Sequence, residues 1–76
     1  MPPADPYELV AAALECPREA LDASSGLDRE PAAWDSMGHL RVMLALEEAY
    51  GIPIDDDTIQ RYARMAEILG LHARAG

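Results

Sequence analysis

Asp35-Ser36-Met37-Gly38-His39-Leu40 opens the longest helix-compatible stretch of the chain, which runs from Ser36 to Tyr50 without a proline and with one early glycine. Ser36 has the side-chain chemistry of a helix N-cap, and Gly51 supplies the matching C-terminal stop. A serine held there has backbone N–H groups and the positive end of the helix dipole beside it, which suits an attached phosphate. At about 100° per residue, Val42, Ala49, Leu46, His39, Tyr50 and Met43 share one arc wide enough to be a core face. Met37, Leu40 and Leu44 fall on the opposite side, with Arg41, Glu47 and Glu48 among them. Apolar anchors inside a charged rim are what a docking helix needs. The plainer reading is three scattered surface hydrophobes.

On the N-terminal side, Asp5-Pro6-Tyr7-Glu8 places an N-cap acid before a first-turn proline, so a first helix is expected over Tyr7 to about Glu15. Pro17 helps to end it. Cys16 to Asp35 is long and irregular, broken by Pro17, Ser24-Ser25-Gly26 and Pro31, with a brief helical turn at Arg18 to Leu21. Leu21, Leu27 and Trp34 are spaced to pin this loop across a bundle. On the C-terminal side, Gly51-Ile52-Pro53-Ile54 reads as an extended turn, and Asp55-Asp56-Asp57 starts a short third helix with acids in its first turn. A fourth helix, about Arg64 to Leu71, is followed by a tail, His72 to Gly76. The expected fold is all-α: a small four-helix bundle, three main helices and one short, with a long loop between helices one and two.

With 76 residues the chain accommodates one domain with a helical core over about residues 5–71, and a chain of this size buries only about 60% of its unfolded surface. Its 14 Asp and Glu stand against 6 basic residues, all arginine, for a net charge of −8. Such a surface repels phosphate backbones and anionic membranes, so no nucleic-acid partner is expected, whereas basic protein patches suit it. The single cysteine, Cys16, excludes an internal disulfide and a cysteine-based zinc site. Met1-Pro2-Pro3-Ala4-Asp5 lacks the basic start and apolar run of a signal peptide, and no segment reaches the roughly 18 apolar residues of a membrane span. A reducing cytoplasm and a monomer are the expectation.

The pattern resembles the acyl carrier protein family over nearly the whole chain. The matching features are one helix, a long loop, Asp35-Ser36-Met37 opening the second helix, Leu46-Glu47-Glu48 near its end, and Gly51-Ile52 before an acid-started third helix. Met37 stands where the family's Asp-Ser-Leu motif has leucine. The resemblance implies that Ser36 carries a covalent 4'-phosphopantetheine arm, transferred from coenzyme A by a phosphopantetheinyl transferase. It implies that Asp35, Met37, Leu40, Leu44, Glu47 and Glu48 form the docking surface, with Arg41 inside it. The protein would then be no enzyme. It would hold acyl intermediates as thioesters and shuttle them between a loading ligase or transferase and downstream synthase enzymes with basic docking patches, in fatty-acid, polyketide or related biosynthesis.

Two readings compete with it. An aminoacyl or peptidyl carrier has the same architecture and a different cargo; a helical adaptor would use the Met37, Leu40, Leu44 face for one fixed partner, with Ser36 as a cap only. Three departures from the family pattern stand out. Arg41 occupies a place where the recognition helix commonly presents an acid, Gly38-His39 is unlike the best-known fatty-acid carriers, and the fourth helix begins at Ala63-Arg64 without a Ser or Thr cap. Trp34 together with Arg41 favours a stand-alone carrier of a specialised pathway, and Arg41 is expected to meet an acid on the partner, since an exposed intrahelical pair with Glu47 or Glu48 is worth only a few tenths of a kcal/mol. His39 invites a Ser-His nucleophile, but it lies in the core arc with no orienting acid. Cys16 reads as a half-buried hydrophobe, and Asp55-Asp56-Asp57 lacks the alternate ligands and glycine of a calcium loop.

Overall fold

The computed structural model describes residues 5–75 and contains four helices: α1 (Pro6–Leu14), α2 (Ser36–Tyr50), α3 (Asp56–Arg61) and α4 (Met65–Ala75). The all-α bundle read from the sequence is the fold. Between α1 and α2 the chain has a single 3-10 turn, Arg18–Ala20.

Local chemistry accounts for the helix ends. Asp5 caps α1 by accepting from the Tyr7 N–H at 2.9 Å, and Pro6 follows at the first helical position, where a missing N–H costs nothing. The C-terminal end of α1 differs from the expectation: the helix stops at Leu14, and Glu15 turns left-handed at φ 56°. The Glu15 and Cys16 N–H groups close on the last carbonyls from there, so a backbone reversal, with Pro17 beyond it, ends the helix. Gly51, at φ 71°, ends α2 where a left-handed residue is needed. Asp55 and Thr58 form a reciprocal capping box at α3, which leaves Asp56 and Asp57 in its first turn.

α4 continues helically past Leu71 to Ala75, whereas the sequence reading ended it there and left residues 72–76 as a tail. Apolar periodicity stops at Leu71, but Leu71-His72-Ala73-Arg74-Ala75 contains no helix breaker. The Tyr50 hydroxyl and His72 Nδ1, 2.9 Å apart, tie that turn to the end of α2. Gly76 lies outside the described residues.

The core is one cluster. Val10, Ala11 and Leu14 of α1 meet Val42, Met43 and Leu46 of α2 and Met65, Ile68 and Leu71 of α4, with Leu21, Trp34 and Tyr62 closing the gaps. Leu21 and Trp34 are buried and Leu27 half-buried, so the three loop residues do anchor the long connection. Backbone pairing secures it further: Leu27 N–H donates to Ala63 O at 2.8 Å and Met65 N–H to Ser25 O at 2.9 Å. Gly26 sits between those bonds, where a Cβ would stand 2.8 Å from Ala63 O. α3 contributes no fully buried residue and is the lightest-held element.

Candidate functional site

The start of α2 corrects one expectation. Asp35, not Ser36, is the N-cap: its Oδ1 accepts from the Gly38 N–H at 2.8 Å, and Asp35 O accepts from the His39 N–H at 2.7 Å. Asp is as good a cap residue as Ser, and burial of Trp34 fixes the chain's entry and puts the Asp35 carboxylate in reach of the third amide. Ser36 becomes the first helical residue, exposed, with no hydrogen bond to its hydroxyl among the described residues. The N–H groups of Ser36 and Met37 also have no partner there. An unused hydroxyl thus stands beside two free amides at the positive end of a fifteen-residue helix.

Gly38 explains how α2 can start at this point. A Cβ on it would collide with Ala33 O and lie 2.7 Å from Leu14 Cδ2, so only glycine lets the first turn press against the loop and α1. In the sequence Gly38 is only the one early glycine of the stretch and a departure from the family pattern; its close approach to Ala33 and Leu14 depends on contacts no local pattern contains.

His39 is buried, 3% exposed, and bridges two elements. The Trp34 Nε1–H donates to His39 Nδ1 at 3.0 Å. Indole N–H is donor only, so Nδ1 is the acceptor and Nε2–H donates to Ile59 O at 2.7 Å. Both ring nitrogens are committed, so His39 is not a free base for Ser36. The core assignment of His39 holds, and its bond to Ile59 O ties α3 to α2 alongside the packing of Ile59 against the core.

On the outer face, Met37 is 67% exposed, Leu40 50% and Leu44 52%. Asp35, Arg41, Glu47 and Glu48 are exposed around them. Arg41 pairs with neither Glu47 nor Glu48. Its Nη1 donates to Glu15 Oε2 at 2.7 Å, across from the end of α1. The left-handed turn at Glu15 positions that carboxylate, and a separation of 26 residues hides the pair from any helical spacing rule. Glu15 therefore joins the charged rim, a residue the sequence reading missed.

Other candidates resolve into structural roles. Burial pushes the Cys16 thiol up from 9.0, away from reactive thiolate character. Asp55 is consumed by the cap of α3, and Asp57 lies 3.6 Å from Arg61. No helix among the described residues is long and apolar enough to cross a membrane. A scan against protein-family models and searches of curated proteins and solved structures returned no match for this chain.

Proposed function

We propose that the protein is an acyl carrier, with a 4'-phosphopantetheine arm joined to Ser36 Oγ. The observation that carries this reading is that Ser36 is spared from capping: Asp35 does that work, and the serine hydroxyl is left exposed at the first position of α2. The residues present fit the group. The two amides unpaired among the described residues and the helix dipole favour a phosphodiester there, and no described side chain hydrogen-bonds to the hydroxyl and would have to be displaced. When bound, the arm supplies a terminal thiol that holds cargo as a thioester.

The chain's own residues would then present Ser36 and release partners quickly. Asp35, Glu47 and Glu48 steer basic patches toward α2, and Met37, Leu40 and Leu44 supply a small apolar contact, a combination that favours fast, weak association. Arg41, neutralised in part by Glu15, adds a local sign change that discriminates among partners. The reaction that would load Ser36 forms a bond from Ser36 Oγ to the pantetheine-side phosphorus of coenzyme A and breaks the pyrophosphate linkage, releasing adenosine 3',5'-bisphosphate; the base that takes the hydroxyl proton and the metal would come from a phosphopantetheinyl transferase.

The test is intact mass after incubation with coenzyme A and a broad-specificity transferase. One phosphopantetheine per chain is expected on the wild type and none on Ser36→Ala. A wild-type chain that stays unmodified while a known carrier in the same tube is converted refutes the reading and leaves a helical adaptor; a Ser36→Ala chain that is still modified refutes the site.

A further inference from the structure

Three of the six arginines, Arg61, Arg64 and Arg74, line one open concavity of about 690 Å³, completed by Asp57, Gln60 and Glu67. No α2 residue lines it. Three arginines against Asp57 and Glu67 leave the lining with one positive charge in excess, although the chain as a whole carries −8. Arg61 stands 3.6 Å from Asp57, longer than a good hydrogen bond. Arg64 and Arg74 have no ion-pair partner among the described residues. Arg74 folds back over its own helix, with Nη1 3.4 Å from where a Cβ on Gly70 would be.

We propose that this concavity is a second interaction surface, one that binds a carboxylate-rich segment of a partner protein. The planar guanidinium fork matches a carboxylate with two parallel hydrogen bonds. The three forks come from the last residue of α3, the α3–α4 junction and the last turns of α4, so each meets a separate carboxylate along an extended chain. A compact phosphate would instead concentrate its charge against Asp57 and Glu67 in the same wall. The sign of this surface is opposite to that of the acidic rim on α2, which makes the two faces selective for different partners. Nothing in this assignment depends on Ser36 or its modification.

Fluorescence anisotropy of a labelled oligoglutamate peptide, titrated with the full chain at low salt, tests it. Saturable binding is expected, and Arg61→Ser/Arg64→Ser/Arg74→Ser should weaken it about tenfold or more, against about twofold for Arg18→Ser/Arg29→Ser/Arg41→Ser, which has the same net charge. Arg61→Lys/Arg64→Lys/Arg74→Lys keeps charge and loses the forks, so it should fall between wild type and the serine variant. Far-UV circular dichroism checks that each variant is folded. The proposal is overturned by absence of saturable binding, by equal losses in the two serine variants, by an unimpaired lysine variant, or by tripolyphosphate displacing the peptide at lower concentration than unlabelled oligoglutamate, which would make this a phosphate site.

Discussion

Asp35 and Ser36 are adjacent, both capable of capping, and carry different loads. Asp35→Ala removes the acceptor of the Gly38 N–H and should cost about 1 kcal/mol in urea unfolding, whereas Ser36→Ala should stay within about 0.5 kcal/mol of wild type. Equal losses would return the cap to Ser36 and weaken the case for a free hydroxyl. Gly38→Ala is expected to be worse than either, costing about 1–3 kcal/mol, because the new methyl meets a backbone carbonyl and Leu14 Cδ2. Trp34→Phe deletes the donor to His39 Nδ1 without opening a large cavity. A cost of about 1–3 kcal/mol would match one buried acceptor left unmet.

At the scale of elements, α2 is two-faced. Leu46 is fully buried and Leu44 about half exposed. Leu46→Ala should therefore cost about 2–5 kcal/mol and Leu44→Ala no more than about 0.5 kcal/mol, read from the same urea melts. The reverse order would mean that the helix presents its other side to the core. The Arg41–Glu15 pair links α2 to α1, but both side chains are more than half exposed, at 52% and 75%. A double-mutant cycle on it should give a coupling of about 0.2–1 kcal/mol at most. The pair thus shapes the charge of the exposed face of α2 more than it holds the bundle.

Taken whole, the molecule is 18 Å through its thinnest dimension, about two helix diameters, so one shared core layer must stabilise it. Its acid response follows from carboxylates used in the folded state. The Arg18 guanidinium, at 2.7 and 3.0 Å, holds Asp5 below its ordinary 3.8, and the Ser24 hydroxyl and N–H do the same for Asp22. A depressed native pKa means that the unfolded chain binds more protons, so stability rises with pH. It is fully present above 3.8 and is lost as pH falls through the lowered native values. Urea midpoints should hold steady near neutrality and drop below about pH 4, and Arg18→Met should make the drop shallower. An unchanged slope in that variant would show that Asp5 is not a source of the acid sensitivity.

The sequence by itself determined the number and kind of elements, the bounds of α2, the cap of α1, the split of α2 into buried and exposed faces, and Ser36 as the residue at its start. Those features are encoded locally, in periodicity and in side chains that reach only two to four residues along the chain. Tertiary structure alone decided which of Asp35 and Ser36 caps, why position 38 must be glycine, what His39 bonds to, where Arg41 sends its charge, and how three arginines spread over the chain's last segments come to line one concavity. Each of these depends on atoms brought together from different elements by burial of the shared core, and no spacing rule along one helix contains that information.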